Sequence, residues 1–103
     1  MNHQRAYAFL DKITAGAHRQ RYELEMRTLA KQQGYDLART IIEDGCGRGI
    51  SQLVGLVTNS DDSVVIVPSL DHLIEVPDTR LEDLTDFAEV LTMYPNRRWT
   101  RPA

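Results

Sequence analysis

Short apolar runs alternate along the chain with longer segments whose apolar residues recur at helical spacing. Residues 6–10 form a short, partly aromatic run that ends at a charged pair, which is typical of a buried strand. From 17 to 33 the apolar positions share one helical face, and Gly34 follows at the position that favours glycine after a helix. The pattern therefore predicts a strand, a helix over 17–33 and a helix end at Gly34.

The same alternation continues through the middle of the chain. Residues 37–42 form a second short run, and residues 44–49 contain three glycines, which indicates a flexible loop. Helical spacing returns over residues 50–57. Residues 63–67 form the clearest strand, and its apolar positions on both faces are expected where both faces of a sheet are covered.

The last third of the chain is predicted to hold one more helix. Thr79 and Glu82 have the spacing of a capping box, which opens a helix by satisfying its free backbone donors. Apolar residues over 81–91 supply the core face of this helix, and Pro95 ends the region. Residues 97–101 either form a last edge strand or fray.

Strands covered on both faces and joined by helices are typical of parallel α/β architecture. We expect one three-layer domain over residues 1–103, with a core from about 5 to 99 and a tail over 97–103. Its sheet should be mainly parallel, flanked by helices, with residues 64–67 at the centre. Right-handed crossovers would gather the carboxyl ends of the strands at one edge. The loops expected there are 11–16, 44–49 and 68–78.

Composition narrows the function classes. Twelve basic against fifteen acidic residues give a net charge of -3, which is the wrong sign for a dedicated nucleic-acid binder, although a local basic patch is possible. Cys46, the single cysteine, makes neither an internal disulfide nor a multi-cysteine metal site. No apolar run approaches a membrane span and no signal peptide opens the chain, so we expect a cytoplasmic protein that does not bind membranes.

The glycine-rich loop at 44–49 is the first candidate for chemistry. Glycines let backbone amides approach an anion, but the loop lacks the Gly-Lys-Ser/Thr ending of a phosphate-binding P-loop. Cys46 would be a nucleophile if a neighbour such as Arg48 lowered its thiol pKa. A mobile connection with an unreactive thiol is the favoured interpretation.

Asp71 and His72 follow the strongest predicted strand, at the edge where open α/β sheets place their sites. Ser69 completes the residue types of a catalytic triad, but three nearly adjacent residues do not make its geometry. A turn-forming aspartate beside a solvated histidine is the simpler interpretation. His3, His18 and His72 lack ligand-like spacing, so neither a metal site nor a cofactor is predicted.

A basic segment near the end of the chain is the third candidate. Arg97, Arg98 and Arg101 surround Trp99, a combination that could contact phosphate and stack on a base. A ragged basic terminus is the commoner meaning of such a segment.

The order of these segments resembles the catalytic domain of the serine recombinases, the resolvase and invertase family, over about residues 5–99. That family has a strand with aromatic-small-Arg-x-Ser, a helix with Gln-x-x-x-Leu, a strand ending in Asp before a mobile loop, and an Arg-x-x-Leu-like helix start. Its signature Leu-Asp-Arg-Leu-x-Arg follows an apolar strand and precedes a helix opened by Asp-Thr. The corresponding segments here are FLDKI at 9–13, EMRTL at 25–29, IIED at 41–44, RGI at 48–50, LDHLIE at 70–75 and DT at 78–79.

The departures from the family pattern imply the loss of catalysis. In the family a serine attacks a DNA phosphate and arginines neutralise the developing charge. The resemblance puts Ile13 at the nucleophile position, Asp11 at a nearby arginine position, and His72 and Glu75 at the signature arginines. An isoleucine has no nucleophilic atom, and the acidic replacements repel phosphate. The positions that still match are Asp44, Asp71 and Arg48. The resemblance therefore implies a truncated, catalytically degenerate relative and no enzyme.

Three functions compete at this point. The first is a non-enzymatic interaction or regulatory module that acts through a protein partner or its own dimer. The second is a DNA-associated accessory factor of a recombination or mobile-element system, binding through the arginines around Trp99 and the cluster at Arg19, Arg21 and Arg27. The third is a small-ligand or metal binder at the strand carboxyl ends. Its site would be built from Asp11, Asp44, Cys46, Asp71 and His72.

The interaction hypothesis includes a surface. The family's long dimerisation helix has no counterpart in the sequence, so the surface that it would cover is expected to be bare. The helix over 81–91 and the segment around Trp99 are the expected interface, and the alternative is that their apolar residues complete the core. The residues concerned are Leu84, Phe87, Val90, Leu91, Tyr94 and Trp99.

Overall fold

A computed structural model describes residues 4–59, 62–74 and 84–100. Within these residues, five strands form a single sheet. They are Arg5–Asp11 (β1), Asp36–Glu43 (β2), Ser63–Val67 (β3), Ala88–Met93 (β4) and Asn96–Trp99 (β5). The helices whose bounds lie within the described residues are Lys12–Ala15 (α1), Arg19–Gln32 (α2), Arg48–Thr58 (α3) and Asp71–Ile74 (α4), with a 3₁₀ turn at Gly16–His18 between the first two.

The sheet has the strand order β2-β1-β3-β4-β5. The first four strands are parallel, and β5 runs antiparallel to β4. The expected mainly parallel α/β sheet, with residues 64–67 in its central strand, is therefore confirmed. Residues 97–99 lie in β5. Of the two alternatives for the segment that begins at residue 97, the edge strand is therefore confirmed over these residues, and they are not frayed.

Helices cover both faces of the sheet, because β3 presents apolar side chains in both directions. Its five residues are all buried. Val65 and Val67 pack with α3 and α4 on one face, which we call the α3 face. Val64 and Ile66 pack with α2 on the other, the α2 face. The expected three layers are present.

The edge strand β2 carries an irregularity. Ala6 pairs with Leu37 but Tyr7 pairs with Arg39, so Ala38 is an extra residue in β2. Such a bulge bends the strand and interrupts its regular pairing pattern.

The prediction of a helix over residues 81–91 is wrong from Ala88 onward. Leu84 and Thr85 are helical, whereas Ala88–Met93 is β4 and pairs along its length with β3. Leu84, Ala88 and Leu91 have the spacing of one helical face, but the pairing with β3 makes residues 88–93 a strand. The capping box at Thr79 and Glu82 lies outside the described residues. The loops expected at 11–16 and 68–78 also contain short helices, α1 and α4.

The expected interface is corrected by the same finding. Leu84, Val90 and Leu91 are at most 4% exposed, because they belong to the core packed around β3 and β4. Trp99 is half-buried against the α3 face, whereas Phe87 and Tyr94 are exposed. Most of these residues therefore complete the core, as the alternative interpretation had it.

We expect Ile66→Asp to unfold the domain. Ile66 is fully buried in the central strand, and an unpaired buried charge costs about 3–5 kcal/mol, which is comparable with the lower end of the roughly 5–15 kcal/mol that stabilises a domain. Chemical denaturation followed by circular dichroism measures the loss. Val54→Asp on the exposed face of α3 is the matched control and should leave the midpoint nearly unchanged. A folded Ile66→Asp protein would contradict the burial of β3.

Candidate functional site

The carboxyl ends of β1, β2 and β3 meet at one edge of the sheet, which we call the carboxyl edge. After β1 the chain continues to α2 on one face, and after β3 to α4 on the other, so the crevice of an open α/β sheet lies between these strands. Asp11 ends β1, Glu43 ends β2, and His72 lies in α4. These three side chains are buried.

Asp11 acts as the cap of α1. Its carboxylate accepts hydrogen bonds from the backbone N–H groups of Ile13 at 3.0 Å and Thr14 at 3.4 Å. Aspartate is among the residues that favour this position, because its oxygen satisfies amides that the helix leaves free. The residue that the family resemblance places at an arginine position thus has a structural task.

His72 is bound to the same strand end. The backbone N–H of Asp11 donates to its Nδ1 at 2.9 Å, so the neutral ring carries its proton on Nε2. Burial lowers the pKa of His72, and the opposing influence of the Asp11 and Asp71 charges does not offset it. The expectation of a solvated histidine is wrong, since the side chain is 2% exposed. Accepting a proton at Nδ1 would break the bond to Asp11, which disfavours His72 as a general base.

Glu43 is the site residue that the sequence analysis missed. Its Oε2 accepts from the N–H groups of Gly45 at 2.7 Å and Gly47 at 3.0 Å, and its Oε1 accepts from that of Ile50 at 3.0 Å. Burial is the largest single influence and raises the pKa of Glu43, but the three amides together bring it below its ordinary value. The available signal was a glutamate directly before a glycine-rich helix start.

The backbone amides of the glycine loop therefore bind a carboxylate of the protein itself, that of Glu43. Gly45 and Gly47 have φ of +104° and +89°, a conformation that favours glycine, and their amides converge on the Glu43 carboxylate. Gly49 lets α3 approach β2, since a Cβ there would lie 2.9 Å from the Glu43 Cα. A phosphate on these amides would have to displace a buried carboxylate.

Asp44 and Cys46 lie on the exposed side of the same loop. Asp44 accepts from the Cys46 backbone N–H at 3.1 Å, and a hydrogen bond with the Cys46 side chain is the main cause that lowers the pKa of Asp44. Ligand atoms of Glu43, Asp44 and Cys46 lie within 4.8 Å of one another. Both Glu43 oxygens already accept amide hydrogen bonds, so a metal ion there would compete with the start of α3.

The remaining positions from the family resemblance are spread around the carboxyl edge. Ile13 is 73% exposed at the start of α1, and its Cδ1 lies 3.1 Å from where a Cβ on Gly45 would be. Asp71 and Arg48 are exposed at the first residues of α4 and α3. Glu75 lies outside the described residues. The structure thus brings Asp11 and His72 into contact and leaves Asp44, Asp71 and Arg48 at the surface.

The basic segment around Trp99 is engaged in contacts within the protein. The Arg97 guanidinium lies 4.3 Å from the centre of the Trp99 ring. Arg98 forms an ion pair with Glu89 and donates to the Tyr35 hydroxyl at 2.6 Å. Arg101 lies outside the described residues. One face of the indole is covered and one arginine is bound, which disfavours base stacking and phosphate contact here.

A groove on the α2 face was also missed. It has a volume of about 330 Å³ and lies between α2 and the turn from β4 to β5. We call it the α2–β4 groove. Leu24 and Tyr94 on its walls are 61% and 50% exposed. Leu24 falls outside the predicted apolar stripe of the helix, so the helical pattern gave no indication of it. The lining residues are Leu24, Glu25, Thr28, Leu29, Gln32, Met93, Tyr94 and Asn96.

Comparisons with protein-family models, curated proteins and solved structures found no match to this chain. Within the described part of the chain, no helix is long and apolar enough to cross a membrane.

We expect Glu43→Gln to lower the free energy of unfolding by about 1.5–3 kcal/mol at neutral pH, because hydrogen bonds to a buried charged group are lost. The pKa of Glu43 is lowered in the folded state, so its contribution is complete above its ordinary pKa of 4.5 and is lost as the pH falls below that value. The difference between the two proteins should therefore shrink on acidification.

Urea denaturation between pH 3.5 and 7 measures this difference. The substituted glutamine keeps the size of the side chain, so packing is matched. Asp44→Asn, on the exposed side of the loop, is the control and should cost much less at pH 7. An unchanged unfolding midpoint for Glu43→Gln would show that the three amides do not depend on the carboxylate.

Proposed function

We propose that this protein is a catalytically inactive, serine-recombinase-like domain that acts as a non-enzymatic interaction module. The observation that carries the proposal is that buried polar side chains at the carboxyl edge already have hydrogen-bond partners within the protein. Asp11 caps α1, Glu43 binds three amides and His72 accepts from a backbone N–H. These three buried side chains all have hydrogen-bond partners in the backbone and stabilise the fold.

A phosphoryl-transfer site needs groups that are available to the substrate. A nucleophile must be close to a base, and cationic donors must face the developing charge. At the carboxyl edge the aligned nucleophile is Ile13, the nearby carboxylate caps a helix, and the buried imidazole is neutral. This arrangement supports a scaffold better than it supports catalysis.

The α2–β4 groove supports binding as the remaining function. Leu24 and Tyr94 keep more than half and about half of their surface exposed, and Leu29 and Met93 lie between them. Large apolar residues that converge on one groove are typical of protein-interaction surfaces. We therefore propose that the module binds a protein through this groove, in place of the surface over residues 81–91.

We expect the purified protein to leave supercoiled plasmid uncut and unjoined, because Ile13 cannot form a phosphoseryl link. Agarose electrophoresis reports nicking and relaxation, and denaturing electrophoresis reports a covalent protein–DNA adduct. An active resolvase incubated with its own site is the positive control. An adduct that disappears on mutation of Ser51, Ser63 or Ser69 would show that the nucleophile lies elsewhere and would overturn the proposal.

We expect a photo-crosslinking residue at Thr28 to capture a partner in cells that produce the protein naturally. Thr58 is the matched control position, since both hydroxyls are exposed on a helix and donate to the carbonyl four residues earlier, at 2.9 Å and 2.8 Å. A defined adduct at position 28 that is absent at 58 and lost with Leu24→Asp supports binding through the groove. Equal labelling at both positions, or none at 28, contradicts it.

A further inference from the structure

We propose that the α2–β4 groove takes an acidic amphipathic helix of a partner protein. This inference rests on the proposed function and adds the chemistry of the partner.

The backbone of the groove has no hydrogen bonds to offer a partner strand. The strand β4, which contributes Met93, is paired with β3 on one side and β5 on the other, and the edge strand β5 contributes only its first residue, Asn96, to the lining. A bound segment must therefore satisfy its own backbone groups, which a helix does and an extended strand does not.

The length of the groove suits a short helical contact. Its α2 wall runs from Leu24 to Gln32, which corresponds to about 12 Å of helix. Leu29 and Met93 line it between the exposed Leu24 and Tyr94. About two turns of a partner helix can lie along this distance, with apolar residues at i, i+3 or i+4, and i+7.

The charges around the groove favour an acidic partner. Glu25 is the one charged lining residue, and it is bound by Arg21 at 3.2 Å and by the Tyr94 hydroxyl. Arg27 and Lys31 are exposed and lie one turn apart on the side of Leu24 away from the groove lining, where they line a second pocket. Neither of them forms an ion pair with a residue that the structure describes. Acidic residues on one flank of the bound helix would meet these two cations.

A second copy of this chain fits the groove poorly. A two-fold contact centred on Leu24 places positions 21 and 27, each three residues away, against one another, and both are arginine. Among the described helices, α2 has four basic and two acidic residues, and α3 has one basic and no acidic residue. Neither of these two helices, the only described ones longer than two turns, therefore supplies an acidic flank.

A displayed library of sixteen-residue amphipathic helices tests the inference directly. Each member has a leucine stripe, and its flanking positions vary among Glu, Lys and Gln. Selection on the full chain should enrich Glu at one flank. Leu24→Asp should reduce binding of the selected peptides by about tenfold or more, because an apolar contact is lost, while Val54→Asp should not.

Charge reversal makes the test specific. Selection on the Arg27→Glu, Lys31→Glu double variant should enrich Lys at the same flank, and circular dichroism verifies that this variant is folded. Enrichment that ignores charge, enrichment of Lys on the native protein, or no selected helix overturns the inference. If selection enriches Glu both on the native protein and on the double variant, the inference is also overturned. The selected peptides would then not depend on the charges of Arg27 and Lys31.

The two proposals fail in different ways. If photo-crosslinking at Thr28 captures a partner whose cross-linked segment is basic or uncharged, the interaction module stands and the acidic helix is wrong. If Thr28 captures nothing above the Thr58 control, the proposed function itself falls. An adduct with a second copy of this chain would support a module that acts as a homodimer and would contradict the acidic helix.

Discussion

The carboxylate of Glu43 on three backbone amides holds together the parts of this protein that meet at the carboxyl edge. It joins the end of β2 to the glycine loop and to the first turn of α3. Amides at a helix start lack partners within the helix, and a buried helix end needs an acceptor. Because the acceptor here is a side chain of the preceding strand, α3 has a fixed starting point on the sheet, and Gly49 allows the two backbones to come close.

The strands and the layer order could be predicted from the sequence because they depend on periodicity. The run at 63–67 is apolar on both faces, which requires a central strand, and α2 shows its buried stripe plainly. Residues 88–91 could not be assigned in this way, since Ala88 and Leu91 continue the helical spacing that begins at Leu84. Glu43 and His72 were missed or misjudged for a different reason. Their surroundings are backbone groups distant in sequence, and residue types do not reveal those contacts.

Under the proposed relationship to serine recombinases, the substituted positions Asp11 and His72 share one explanation, which is that they stabilise the fold. A catalytic pocket keeps polar groups exposed and unsatisfied, which costs stability. At the corresponding positions this chain has a helix cap at Asp11 and a buried, neutral imidazole at His72. Both residues contribute hydrogen bonds to the fold, so this edge of the sheet is a source of stability. Binding can then be served by a separate surface, on the α2 side of the sheet.

The extra residue Ala38 in β2 affects how readily the protein aggregates at high concentration. A regular edge strand offers a row of backbone groups on which another chain can add a strand, and such additions lead to aggregates. The register shift beside Ala38 breaks that row partway along the strand and places exposed residues around the break. Growth of the sheet across this edge is therefore discouraged.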